Sequence, residues 1–201
     1  MRLKIPHGTL CALWLLLFFT QISLVATRRV SVHRRLGAAA GVLAVALVIV
    51  GYATAIALLR RGFDLSGDLH IPAVDPAVEM VFPLGDLVSF AVLVTAGYVY
   101  RRRPDIHKRL MLLATLSGFM PASLAHFIGH VPILTRMPAP IILIPLVAFY
   151  FAGAVFDRFY RGRIHPVFLW VPILLIAWAN VRAAVIGPST TWHHFLAWLA
   201  R

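Results

Sequence analysis

Six long apolar stretches alternate with short polar segments along the chain. They cover roughly residues 10–26, 36–59, 80–100, 110–132, 140–156 and 166–186. About twenty consecutive apolar residues are enough for a helix to cross a hydrocarbon layer about 30 Å thick. The pattern therefore predicts an all-α fold, a polytopic transmembrane bundle of about six helices that forms a single membrane domain over residues 1–201.

The two ends of the chain need separate interpretation. The last apolar segment, residues 192–199, is too short to span a membrane, but it begins and nearly ends with tryptophan. Tryptophans at such positions are typical of anchors at the membrane surface, so we expect a short interfacial C-terminal helix. The first stretch follows two basic residues, as in a signal peptide. Leu24 stands where cleavage requires a small residue, and we expect an uncleaved span.

Basic residues concentrate in alternate loops. The loops after the first, third and fifth stretches hold twelve Lys and Arg in total, whereas the termini and the other loops hold six. Basic loops are retained on the cytoplasmic side of a membrane. The asymmetry predicts a multi-pass protein of the bacterial inner (cytoplasmic) membrane with both termini periplasmic. The long acidic loop, with Asp64, Asp68, Asp75 and Glu79, then lies outside.

Composition and charge exclude a soluble domain and indicate which partners the chain has. The chain is 61% hydrophobic and only 13% charged, too little charge for the surface of a soluble domain of 201 residues. The net charge of +12 lies in short loops beside the spans, which favours anionic lipids at the cytoplasmic face as partners and excludes nucleic acid. The single cysteine, Cys11, forms neither an intrachain disulfide nor a CxxC motif.

Five polar residues from three spans share one outer layer. Counted at 1.5 Å per helical residue, these are Asp86, His126, His130, Asn180 and Arg182. A lone charge in a bilayer is costly, so Asp86 and Arg182 are expected to form a structural ion pair. Two alternatives stay open: a pocket for a small molecule or proton, and a metal site formed by Asp86, His126 and His130, since two histidines and a carboxylate suit zinc or iron.

A second candidate site lies at the cytoplasmic side. His33 and His107 begin two spans at matching depth and stand among arginines. Two opposed imidazoles are the ligands of a b-type haem, and the arginines would pair with its propionates. His165 is a further candidate ligand. The alternative is that these histidines are interfacial residues that contact lipid phosphate or helix ends.

Three motifs resemble a family of small bacterial six-span integral membrane proteins of unknown function. They are HRRLG at residues 33–37, PLGD at 83–86 and RRRPDIHKRLMLLAT at 101–115, followed by Arg182 and the tryptophan-rich tail. The resemblance covers about residues 33–200. A weaker similarity links the same strings to predicted haem-linked or oxidase-assembly membrane families. The resemblance supports six spans and implies no established activity.

The function expected from these features is non-enzymatic. The sequence holds no GxGxxG, Walker, HExxH or GxSxG motif. We expect an accessory or assembly factor, or a subunit of a larger membrane complex. The alternatives are a membrane redox protein with one b-type haem at His33 and His107, and a small transporter that uses the outer polar cluster.

Overall fold

The computed structural model describes residues 4–61 and 75–200. This part of the chain is helical almost throughout and contains no strand, and helix makes up 89% of the structure. The predicted all-α class is therefore confirmed. Asp64 and Asp68, which the sequence predicts to lie in the acidic loop, are outside the described residues.

Eight α-helices follow one another in the described ranges, two of them short. They are α1 (Lys4–Ala26), α2 (Val30–Arg61), α3 (Pro76–Glu79), α4 (Val81–Val99), α5 (Pro104–His130), α6 (Ala139–Arg161), α7 (Pro166–Val181) and α8 (Thr190–Leu199). A 3₁₀ turn, Tyr100–Arg102, follows α4, and a π turn, Arg182–Ile186, continues α7.

Six of these helices are long and apolar enough to cross a membrane. The candidate spans within the described residues are Pro6–Ala26, Val30–Arg60, Ala77–Arg102, Pro104–His130, Ile141–Arg161 and Pro166–Ile186. The last span coincides with its predicted stretch. Each of the other five contains most of one predicted stretch and extends beyond it at one end or both, because charged residues at helix ends still continue the backbone hydrogen bonding. The chain is an integral, multi-pass membrane protein, and α8 is the short C-terminal helix expected from its tryptophans.

Local sequence explains where the later helices begin and end. Gly162 ends α6 with φ of +70°, a left-handed conformation that glycine adopts without a steric penalty. Pro166 opens α7, and the His165 ring caps it by accepting a hydrogen bond from the Val167 amide at 3.2 Å. Ser189 caps α8 in the same way, with its hydroxyl 3.3 Å from the Trp192 amide.

By internal contacts the chain divides into two compact units, Met1–Ala57 and Leu58–Arg201. In the first unit, polar contacts through Gln21 link α1 to the start of α2. With its amide oriented to satisfy its neighbours, Gln21 donates to His33 Nδ1 at 2.5 Å and accepts from the Gly37 amide at 3.0 Å. Gly37 opens the small-residue run of α2.

In the second unit, α4 and α5 pack against each other most extensively. Their antiparallel axes come close at two glycines. A Cβ atom at Gly97 would lie 2.7 Å from the Met111 sulfur, and one at Gly118 would lie 2.8 Å from the Phe90 ring. Small residues at such crossings let membrane helices approach closely. Because the helices are antiparallel, Asp86 on α4 and Arg109 on α5 lie at opposite ends of this pair.

Candidate functional site

Arg182 and Asp86 form the first charged contact of the second unit. Arg182 Nη1 lies 2.9 Å from Asp86 Oδ1, and the two side chains are only 6% and 14% exposed. The same nitrogen also donates to the Phe82 and Val81 carbonyls at 2.9 and 3.2 Å. The beginning of α4 therefore supplies three acceptors to Nη1, whereas the buried Nε has no hydrogen-bond partner. These contacts offset part of the cost of placing a charge inside a membrane helix.

Aromatic rings and one glycine shape the space around Arg182. Its guanidinium carbon lies 5.7 Å from the centre of the Phe82 ring and 5.5 Å from that of Trp178, both within cation–π range. Gly85 leaves room for the group, because a Cβ atom there would overlap the guanidinium. The glycine of the PLGD motif thus has a packing reason that sequence inspection did not identify.

The other members of the predicted outer cluster make contacts within their own helices. Asn180 is exposed and donates to the Ile176 carbonyl of its own helix at 2.8 Å. His126 is exposed, and the His130 Nδ1 faces the His126 carbonyl at 2.7 Å. Within the predicted cluster, the ion pair joins Asp86 and Arg182. Equal depth along the helices does not determine which way each side chain points.

The predicted metal set needs the same correction. Across residues 4–61 and 75–200, no three or more His, Cys, Asp or Glu side chains come together as a group able to hold a metal ion. Asp86 turns toward Arg182, whereas His126 is exposed. Two ligands four residues apart on α5 do not meet the carboxylate on α4.

A second ion pair, more buried than the first, lies at the opposite end of the α4–α5 pair. Arg109 donates to Asp157 through Nη2, at 2.7 and 2.9 Å from the two carboxylate oxygens, and through Nε at 3.2 Å. The side chains are 1% and 2% exposed. Arg109 also donates to the Asp105 carbonyl at 2.5 Å and lies 5.2 Å from the Phe168 ring centre. Fork-like contacts of this kind are the strongest that arginine makes with a carboxylate.

Asp157 is the hub of this end of the unit. Its carboxylate also forms a salt bridge with Arg161, whose Nε lies 3.3 Å from Oδ1, and it accepts a hydrogen bond from the His165 amide at 3.3 Å. Asp105 meets His165 Nε2 at 3.3 Å. These contacts, which we call the Asp157 hub, join α5, α6 and the start of α7. Sequence reasoning missed Asp157, although an aspartate at the end of an apolar stretch, four residues before Arg161, was a detectable signal.

The two proposed haem ligands belong to different units. His33 lies in Met1–Ala57 and His107 in Leu58–Arg201. His107 Nδ1 lies 2.8 Å from the Gly97 carbonyl, the type of contact that orients a metal-binding imidazole. His33 Nδ1 accepts from Gln21, which puts the proton on Nε2, the nitrogen that would bind iron. His107 thus fits a ligand role better than His33 does in this orientation.

His165 does not fit as a substitute ligand. Its Nδ1 accepts from the Val167 amide and its Nε2 faces the Asp105 carboxylate. Both ring nitrogens are therefore used in capping α7 and in holding α5, which explains this histidine structurally.

A third polar contact joins α8 to the residues before α4. His193 Nε2 lies 3.1 Å from Asp75 Oδ2, and Trp192 Nε1 donates to the Ala77 carbonyl at 2.7 Å. The Ser189 carbonyl, 2.8 Å from Nδ1, raises the pKa of His193, and Asp75 adds to this. The Ala77 amide, with a further contribution from His193, lowers the pKa of Asp75. The pair therefore favours a charged histidine and a charged carboxylate.

Comparison of this chain with models of protein families, with curated proteins and with solved structures finds no match.

Proposed function

We propose that this chain is a non-enzymatic accessory or assembly factor, or a subunit, of a larger complex in the bacterial inner membrane. The observation that carries the proposal is that the charged groups of both buried ion pairs contact other groups of the protein. Asp86 pairs with Arg182, whose Nη1 also donates to backbone carbonyls, and Arg109 pairs with Asp157 and donates to the Asp105 carbonyl. Pairs used in this way hold helices together.

The outward face of α4 supports a role in helix association. An open groove there is lined by small residues between exposed valines: Ala91, Val92, Thr95, Ala96, Val99 and Tyr100. Val92 and Val99 are 60% and 67% exposed. Membrane helices associate through small residues that let backbones approach, because burial of apolar surface alone gains little against lipid. A transmembrane helix of another protein is the occupant that this face suits.

Co-purification tests this proposal directly. The tagged chain, extracted from native membranes in a mild detergent, should retain a membrane protein in fixed ratio. Thr95→Leu combined with Ala96→Leu should fill the groove and release that protein. Val155→Leu, at a 53% exposed position on α6, is the matched control and should retain it. A chain that purifies alone under all conditions, or equal loss in both variants, would contradict the proposal.

The orientation proposed with this function places both termini in the periplasm and the arginine-rich loops at the cytoplasmic face. It rests on the twelve-to-six distribution of basic residues between the two sides. Anionic lipids at that face are the corresponding partners.

One haem b is the second candidate, and the contact between His107 and the Gly97 carbonyl favours it. His107 would be a ligand, and a bound haem would supply one-electron chemistry. Purified chain, expressed with ample haem, should then show reducible b-type absorption bands that His107→Ala removes and His126→Ala leaves unchanged. A colourless protein from a host that loads other b-type cytochromes would exclude this function.

A further inference from the structure

The end of α5 brings two imidazole rings together. His126 and His130 stand four residues apart, so their side chains leave the same face of the helix, one turn apart. The ring centres lie 4.2 Å apart, with an angle of 59° between the ring planes. His126 is exposed and His130 is half-buried. The two rings therefore approach each other at the surface of the unit.

A backbone contact fixes the tautomer of His130. Its Nδ1 lies 2.7 Å from the His126 carbonyl oxygen, which accepts hydrogen bonds and donates none. Nδ1 therefore carries the proton, and the lone pair of the neutral ring lies on Nε2, the nitrogen farther from the backbone. Histidines that bind metal ions are oriented in this way, with the other ring nitrogen donating to a carbonyl or a carboxylate. His130 thus has the orientation of a metal ligand, and His126 supplies the carbonyl that sets it.

Two imidazoles at this spacing suit a transition-metal ion. Zinc binds imidazole nitrogens at about 2.0–2.1 Å and prefers four ligands in a tetrahedral arrangement, which places two ligating nitrogens about 3.3 Å apart. Rings whose centres lie 4.2 Å apart reach that separation by rotation about side-chain bonds alone. Over residues 4–61 and 75–200 no third His, Cys, Asp or Glu side chain joins the pair. The other two positions are therefore left to water or to a group of another molecule.

The position of the pair gives an ion access from water. His130 is the last residue of α5 and of the candidate span Pro104–His130, so the pair lies where the helix leaves the apolar layer. We propose that His126 and His130 together bind one Zn²⁺ ion at this end of α5. The site differs from the three-residue set predicted from the sequence, because Asp86 stays paired with Arg182. It goes beyond the proposed function and does not depend on the accessory role.

Titration with zinc chloride alone tests the site. The full-length chain, without a histidine tag and in phosphatidylcholine nanodiscs, should bind one ion per chain in a calorimetric titration. Loss of a group that merely orients a ligand costs about tenfold in metal affinity, so His126→Ala and His130→Ala should each weaken binding about tenfold or more. The matched control, His194→Ala, removes an exposed histidine of α8 and should leave the affinity unchanged.

Unfolding temperature separates a lost ligand from a damaged fold. His126→Ala removes an exposed ring, so without zinc it should unfold at the temperature of the unaltered chain. Zinc should raise the unfolding temperature of the unaltered chain, because an ion that binds only the folded state stabilises it, and should leave that of His126→Ala where it is.

The outcomes that would overturn the site are distinct. A chain that binds no zinc, or full affinity in either His126→Ala or His130→Ala, would exclude a shared site. Equal weakening in His194→Ala would assign binding to exposed histidines in general. With Co²⁺ in place of Zn²⁺, a thiolate charge-transfer band in the near ultraviolet would assign the ion to Cys11 instead. Co-purification of a partner protein bears only on the accessory role.

Discussion

Arg109 on α5 donates to both carboxylate oxygens of Asp157 on α6, at 2.7 and 2.9 Å from Nη2. Neither residue stands out in the sequence as part of a pair, because one lies in a basic loop motif and the other follows an apolar stretch. Together with Arg182 and Asp86 they give the second unit a buried ion pair at each end of its helices.

Loss of Asp157 should be among the most damaging single polar changes in the described part of the chain. Asp157→Asn leaves the buried Arg109 charge without its counter-charge, and breaking such a pair costs about 3–5 kcal/mol. Arg161→Gln removes only the exposed partner of the same carboxylate, and we expect a loss below about 1 kcal/mol. Thermal unfolding in detergent measures both. If Asp157→Asn lowered the free energy of unfolding no more than Arg161→Gln does, the buried Arg109 charge would not need Asp157 as its counter-charge.

Asp86 and Arg182 should show strong thermodynamic coupling. Asp86→Asn or Arg182→Gln alone should cost about 3–5 kcal/mol, because the surviving charge is buried and unpaired. The double change should cost less than the sum of the two, since no orphan charge remains. Asn180→Ala, at the exposed neighbour, should alter stability by less than about 0.5 kcal/mol. If the effects of the two single changes were additive in this double-mutant cycle, Asp86 and Arg182 would not interact energetically.

Gly85→Ala should destabilise the protein through a steric clash alone. A Cβ atom at this position would lie 2.8 Å from Arg182 Cζ and closer still to other atoms of that side chain. Because the guanidinium is held by three hydrogen-bond acceptors, overpacking here should cost about 1–3 kcal/mol. The matched control is Gly8→Ala on α1, where nothing lies within 4 Å. An unchanged unfolding temperature for Gly85→Ala would mean that Arg182 moves aside easily.

The contact between His193 and Asp75 should make docking of α8 dependent on pH. The pKa of His193 is raised above 6.5, so its contribution is complete below that value and lost as pH rises through the raised pKa. The pKa of Asp75 is lowered from 3.8, so its contribution is complete above that value and lost as pH falls through the lowered pKa. The contact should therefore be strongest between about pH 4 and 6.5.

Tryptophan fluorescence follows this transition, because Trp192 contacts the Ala77 carbonyl beside it. The emission should shift as pH rises through the raised pKa of His193 in the unaltered chain. His193→Gln should abolish the shift, and His194→Gln, at the exposed neighbouring histidine, should keep it. A shift that survives His193→Gln would assign the titration to another group.

Reporter fusions test the proposed orientation. Fusions at Arg102 and Arg161, within basic regions, should show cytoplasmic activity, and a fusion at Ser66, in the segment outside the described residues, should show periplasmic activity. Basic residues flanking spans resist translocation, which is the physical basis of the expectation. A cytoplasmic signal at Ser66 would reverse the orientation of the whole chain.

The apolar periodicity determined the helices, because any backbone in a bilayer must satisfy its own hydrogen bonds and only long apolar helices do so within one segment. All six predicted stretches appear as long apolar helices. Helix geometry also places residues in depth at a fixed rise, so Asp86 and Arg182 could be assigned to one level from the sequence alone.

The tertiary structure decided which groups meet within a level. His126 and Asn180 share the depth of Asp86 but are exposed, since the rotation of each helix about its axis depends on packing against its neighbours. The glycines at the α4–α5 crossing and at Gly85 set that packing through contacts between distant residues. Asp157 lies 48 residues from Arg109 and acquires its partner only when α5 and α6 pack together. Rise along a helix is a local property of the chain, whereas rotation and partner choice are properties of the packed bundle.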